Sequence, residues 1–140
     1  MQQYVLQIIE HLEEMGYKKL NPESNNVYGR LGTDAIYVVV LGSSRDLRAE
    51  SLQKFNRQII HDLSADSDKR IELLNILLTP NGLFDDSVNE IVSKMSNVWL
   101  FSEDYGKLYV FENQPMDFDG LQPVLDKPVS YTHLTLPTNS

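Results

Sequence analysis

The sequence contains no cysteine, few basic residues and no long apolar run. Without cysteine, its 140 residues cannot form disulfides, cysteine-ligated zinc sites or thiol nucleophiles. The 12 Lys and Arg residues face 20 Asp and Glu, and the net charge of −8 argues against a nucleic-acid partner. No apolar run approaches the roughly 20 residues that cross a bilayer. The first residues also lack the basic start of a signal peptide. These features predict a soluble, cytoplasmic chain.

The apolar spacing predicts an α/β fold in the order α-β-β-α-β-α-β-β. An amphipathic first helix ends at Gly16, and residues 18–26 are predicted to form a loop. Residues 35–41 and 71–78 are apolar on both faces, which is typical of central strands. The alternation of strands and helices indicates a small mixed, mostly parallel sheet with flanking helices, closed by a C-terminal hairpin. The second helix is predicted to bury one apolar face, formed by Leu52, Phe55, Ile59 and Leu63.

Four aromatic residues alternate along the predicted C-terminal hairpin. Such a stripe is either a binding face or cross-strand packing, and packing is the commoner use. We carry the four as candidate binding residues: Trp99, Phe101, Tyr109 and Phe111.

Ser43 and Ser44 follow the predicted central strand. Open α/β sheets often bind ligands at this end of a strand, where backbone amides at a helix start attract anions. The alternative, which we favour, is that one of the two serines caps the next helix. Both are kept as candidate binding residues.

Acidic side chains suggest no complete metal site. Three acidic pairs are candidate metal ligands: Asp85/Asp86, Glu103/Asp104 and Asp117/Asp119. The first is explained more simply as a helix start and the second as a solvated turn, and the Asp117–Gly120 stretch has only a fragment of a calcium-loop pattern. Asp34 precedes the central strand, as a carboxylate does in some metal-dependent nucleases, but no acid-x-Lys pair follows on a strand. We therefore predict no catalytic residue, no metal and no cofactor, and keep the nuclease-like enzyme as an alternative.

The last residues differ from the rest of the chain. Residues 129–138 carry no charge and no clear periodicity. They resemble the conceptual translation of a transposon-type sequencing adapter, found at the ends of genes predicted from fragmentary assemblies. This resemblance implies that residues 129–140 are a non-native tail, which we leave out of the fold. The alternative is a genuine disordered tail.

The segment 109–121 carries a family resemblance. Its residues Glu112-Asn113-Gln114-Pro115, followed by Asp117-Phe118 and Gly120-Leu121, are similar to a stretch of rhomboid-family membrane proteins from gut Firmicutes. The resemblance also includes residues 13–17 at the end of the first helix and the strand 36–41, and it covers residues 1 to about 128. In that family the stretch links a cytosolic α/β domain to the membrane part. Met116 departs from the pattern, which has glycine there. Rhomboids are intramembrane serine proteases whose serine and histidine lie on transmembrane helices, so no catalytic residue transfers to this chain.

The resemblance implies a division of the chain into a globular domain (1–112), a linker or docking segment (113–128) and the tail (129–140). It implies a non-catalytic, regulatory or substrate-recruiting domain at the cytoplasmic face of the cell membrane. Its partners would be the transmembrane remainder of its own polypeptide or protein substrates. Two alternatives stay open: the nuclease-like enzyme that uses Asp34, and a stand-alone protein-binding module that uses the aromatic hairpin.

Overall fold

The computed structural model has an α/β fold in which helices cover a six-stranded mixed sheet. It describes residues 2–21, 26–43, 47–79, 86–102, 108–109, 114–115 and 117–122. In chain order the elements are α1 (Gln2–Glu14), β1 (Lys18–Lys19), β2 (Val27–Leu31), β3 (Ala35–Ser43), α2 (Ala49–Ser64), β4 (Arg70–Thr79), α3 (Asp86–Lys94), β5 (Val98–Ser102) and β6 (Leu108–Tyr109).

The strands lie side by side in chain order, from β1 to β6. The two central pairings, β3 with β4 and β4 with β5, are parallel, and α2 and α3 provide the crossovers. The other three pairings are antiparallel. The predicted α/β class and element order are therefore confirmed with two corrections. The sheet is mixed, and not mostly parallel, because residues 32–34 are too short a connection for a parallel crossover. A two-residue strand, β1, also lies within the predicted loop.

The central strands are covered on both faces, as their apolar runs predicted. On β3, Val38, Val39 and Val40 are all almost completely buried although they alternate between the two faces. One face carries α1 over a cluster that includes Val39, Leu74 and Trp99. The other face carries α2 and α3 over residues such as Leu77 and Leu100. Burial on both sides explains why neither central strand shows a polar face in the sequence.

The first helix ends where Gly16 was predicted to stop it. Gly16 has φ 97°, a left-handed conformation that favours glycine. Its N–H donates to the Glu13 carbonyl at 3.0 Å, and the Tyr17 N–H donates to the Leu12 carbonyl at 2.9 Å. These two bonds form a Schellman motif, in which the residue after the glycine packs back against the helix. The motif turns Tyr17 into the core beside Leu12.

The buried face of α2 differs from the prediction at one turn. Leu52 is buried, but Phe55 is 43% exposed and Asn56 is only 6% exposed. The Asn56 amide lies opposite Asn75 on β4, and each Nδ2 donates to the other's Oδ1, at 2.9 and 2.8 Å. Asn75 Nδ2 also donates to the Asn97 carbonyl at 3.2 Å. The amide pair satisfies polar groups that would be costly to bury alone.

Removing one amide should therefore destabilise the fold. We expect Asn56→Ala to lower the free energy of unfolding by about 2 kcal/mol, because the Asn75 side chain loses its partner in the core. Gln58→Ala is the matched control, since this exposed amide on the same helix donates to Asp62 at 3.1 Å. It should cost less than about 0.5 kcal/mol. Urea unfolding followed by circular dichroism measures both, and equal losses would refute the role of the buried pair.

Candidate functional site

Two of the predicted binding aromatics lie in the core. Trp99 and Phe101 are each 2% exposed and pack with α1 on one face of the sheet. This burial agrees with the packing interpretation of the stripe and leaves neither ring on the surface. Tyr109 lies on β6, paired with Leu100, and Phe111 lies outside the described residues. A binding role for these last two stays a prediction.

Ser43 is the last residue of β3 and is exposed. It cannot cap α2, because that helix begins at Ala49 and Arg48 occupies its N-cap position without a side-chain cap bond. The capping interpretation is therefore wrong for Ser43: the chain runs several residues further before turning into the helix. Ser44 lies outside the described residues. Anion binding at this end of the strand stays a prediction.

Residues 114–122, here called the C-terminal segment, lie against the sheet where the structure describes them. The side chain of Gln114 is 4% exposed and bonds the backbone on both sides of the α3–β5 connection. Its Oε1 accepts from the Val98 N–H at 2.9 Å, and its Nε2 donates to the Met95 carbonyl at 3.1 Å. Trp99 Nε1 donates to the Pro115 carbonyl at 2.5 Å. Side-chain bonds to backbone groups thus fix the start of the segment.

The segment ends in a tight turn. The Phe118 N–H donates to the Leu121 carbonyl at 2.9 Å, and the reverse bond is 2.8 Å. The central residues Asp119 and Gly120 have φ values of 53° and 83°. Positive φ at both positions is the pattern of a type I′ turn, for which Asp-Gly is a preferred pair. The turn leaves Leu121 with 1% exposure beneath α1, which contributes roughly 2 kcal/mol of apolar burial.

Asp119 is held by a two-pronged ion pair. Arg30 on β2 donates from Nε to Asp119 Oδ2 at 2.5 Å and from Nη2 to Asp119 Oδ1. Tyr17 Oη donates to the same Oδ2 at 2.9 Å. The side chain of Asp119 is 9% exposed and that of Arg30 is 32% exposed. One carboxylate therefore ties together the end of α1, strand β2 and the C-terminal turn.

Aromatic contacts extend the ion pair. The guanidinium carbon of Arg30 lies 5.1 Å from the centre of the Tyr37 ring, within the range of a cation–π contact. Phe118 meets the same ring edge-on, with centroids 5.8 Å apart. Tyr37 is thus held between the cation and the turn, which fixes the position of Arg30.

The surroundings of this cluster change two pKa values. Burial and, second, the hydrogen bond to Asp119 raise the pKa of Tyr17 far above its usual value. The hydrogen bond to Asp119 also raises the pKa of Arg30. Tyr17 therefore remains a neutral hydrogen-bond donor to the Asp119 carboxylate.

The acidic residues considered as metal ligands do not converge where they are described. No group of three or more Asp, Glu or His residues that could hold a metal occurs among the described residues. Asp119 is occupied by Arg30, and Asp34 is exposed in the turn between β2 and β3. The pairs Asp85/Asp86 and Glu103/Asp104 fall wholly or partly outside the described residues. The enzyme alternative stays untested.

The structure brings together residues that the sequence did not connect. No pattern links Tyr17 or Arg30 with their partner Asp119, which lies 102 and 89 positions away. The Asp-Gly pair was the available local signal, since it predicts a turn. The contact of Asp119 with Arg30 could be found only from the three-dimensional structure.

Comparisons with known proteins identify no relative. No family model, curated protein or solved structure matches the chain. In the described part of the chain, no helix is both long and apolar enough to span a membrane.

We expect Asp119→Asn to lower the free energy of unfolding by about 1–2 kcal/mol. Asparagine tolerates the left-handed backbone and keeps the shape, so the loss of stability reports the ion pair of Asp119 with Arg30, whose strength is reduced by the partial exposure of Arg30. Asp117→Asn is the control, because Asp117 is exposed two residues away and the same charge is removed. Chemical unfolding at neutral pH should separate the two variants, and equal effects would contradict a specific pair.

The raised pKa of Tyr17 also predicts a loss of stability at alkaline pH. Because its pKa is raised in the folded chain, its contribution is complete below the unfolded value of about 10 and falls as the pH rises above it. The loss should approach about 1.4 kcal/mol per pH unit for this group. Unfolding measured between pH 8 and pH 11 should show a shallower decline for Tyr17→Phe. An unchanged slope would remove Tyr17 as the cause.

Proposed function

We propose that this chain is a non-catalytic accessory domain of a rhomboid-like membrane protein, placed at the cytoplasmic face of the membrane. The C-terminal segment supports this proposal. Among the residues that carry the resemblance, Gln114 and Pro115 bond to the domain and Leu121 is buried in it. Asp119, which is not one of these residues, adds the ion pair with Arg30. A motif in which several residues have a packing or bonding role is consistent with a shared domain architecture.

The geometry of the segment supports an accessory role for the domain. Gln114 fixes the segment at the α3–β5 connection, and Asp119 fixes it at β2. The C-terminal segment is therefore anchored to the domain up to Leu121, beside α1. In the proposed protein, the membrane part is coupled to the domain through this anchored segment. That coupling is what a regulatory or substrate-recruiting domain needs in order to act on a neighbouring membrane part.

The direct test is the uninterrupted gene downstream of codon 128. We expect it to continue into several spans of about 20 apolar residues, with a serine and a histidine on separate spans as the resemblance implies. A natural stop codon soon after residue 128 would refute the proposal.

The full-length protein then tests the accessory role. Cleavage of a membrane substrate should change when residues 1–122 are deleted. It should also change in Asp119→Asn, because this variant weakens the attachment of the C-terminal segment to β2. Asp117→Asn, with the same charge change on an exposed residue, should leave cleavage unchanged. Equal cleavage by all four proteins would exclude a regulatory or recruiting role.

A further inference from the structure

An open pocket of about 440 Å³ lies at the end of the sheet where the parallel strands β3 and β4 begin. The β2–β3 turn forms one wall, with Thr33 and Asp34, and the first residues of β4 form the other. Arg30 and Tyr37 also line the pocket and connect it to the Asp119 cluster. The pocket is separate from the Ser43 end of the sheet, because Ser43 is at the opposite end of β3.

Three cations line this pocket in a chain whose net charge is −8: Arg30, Lys69 and Arg70. Lys69 Nζ donates to the Gly32 carbonyl at 2.8 Å, and the Lys69 N–H donates to Ser67 Oγ at 3.1 Å. Among the described residues, no carboxylate pairs with the Lys69 ammonium. A neutral carbonyl therefore positions this charge without cancelling it, and two of its three N–H donors remain for a ligand.

The two arginines are held in place by carboxylates outside the pocket. Arg30 is fixed by Asp119, and Arg70 Nε donates to Glu72 Oε2 at 2.5 Å. That bond uses one nitrogen of the Arg70 fork, and the other two have no partner in the described part of the chain. A positioned lysine beside an arginine fork and the Thr33 hydroxyl is a donor set suited to the oxygens of a phosphate group.

We propose that this pocket binds a single phosphate group carried by a small, hydroxyl-bearing molecule. Lys69 and Arg70 bind the phosphate oxygens, and Asp34 accepts hydrogen bonds from hydroxyls of the same ligand. Asp34 and the acidic surface oppose a second phosphate, which disfavours polyphosphates and nucleic acid. At physiological salt the remaining surface charges are largely screened beyond about 8 Å, so the local donors determine binding. Such a phosphate belongs either to a free metabolite or to a lipid headgroup.

Arg30 connects the pocket to the C-terminal segment. It lines the pocket and also binds Asp119, so its positive charge attracts both a phosphate held by Lys69 and Arg70 and the Asp119 carboxylate. Removing the Asp119 charge should therefore strengthen phosphate binding. By reciprocity, occupancy of the pocket should weaken the hold of Arg30 on the turn.

The test uses the 140-residue chain labelled with ¹⁵N and titrated with sn-glycerol 3-phosphate at low salt. We expect saturable shifts of the Thr33, Asp34, Lys69 and Arg70 amides. Lys69→Gln should weaken binding about five- to tenfold, the effect of losing one charged hydrogen bond. Lys54→Gln removes the same charge from an exposed position on α2 and should leave binding unchanged. Asp119→Asn should tighten binding about threefold, as expected for a small change in local charge.

Vesicle sedimentation identifies the source of the phosphate. Binding to phosphatidylcholine vesicles that contain phosphatidylglycerol, lost in Lys69→Gln, supports a lipid headgroup. Saturable binding of glycerol 3-phosphate without vesicle binding supports a free metabolite. The site is refuted if neither probe binds, or if Lys54→Gln weakens binding as much as Lys69→Gln. These outcomes are independent of the proposed function, which depends on the gene beyond codon 128.

Discussion

The ion pair between Arg30 and Asp119 attaches the C-terminal segment to the sheet. It joins strand β2 to a turn 89 residues later, and Tyr17 adds the end of α1 through a third hydrogen bond. A carboxylate that is 9% exposed is costly to bury alone, so its position depends on these donors. With Asp119 held, the turn inserts Leu121 beneath α1 and completes the core on that face of the sheet.

Three buried polar side chains perform a related task elsewhere: Asn56, Asn75 and Gln114. The two asparagines bond each other across the α2–β4 interface, and Gln114 bonds the backbone between α3 and β5. Such bonds add little net stability when they form but are expensive to break. They therefore favour one arrangement of helices over the sheet, which apolar contacts alone would specify less sharply.

The sequence predicted what depends on local pattern. The apolar runs of β3 and β4 predicted the main strands, and the glycine after α1 predicted the end of the first helix. The antiparallel β2–β3 pair could have been predicted too, because a connection of three residues permits no crossover. The buried face of α2 could not be predicted. Asn56 is buried in place of Phe55 because it bonds Asn75, which lies on a strand distant in sequence. For the same reason the Asp-Gly turn was predictable, whereas its partner Arg30 was not.

The central claim is that the C-terminal segment belongs to the folded domain. Its most direct test compares the free energies of unfolding of two truncated chains, one ending after residue 112 and the other after residue 122. The longer chain should be as stable as residues 1–140. The shorter one should lose about 5 kcal/mol or fail to fold, because the Gln114, Asp119 and Leu121 contacts are lost together. Equal stability of the two truncated chains would contradict the account.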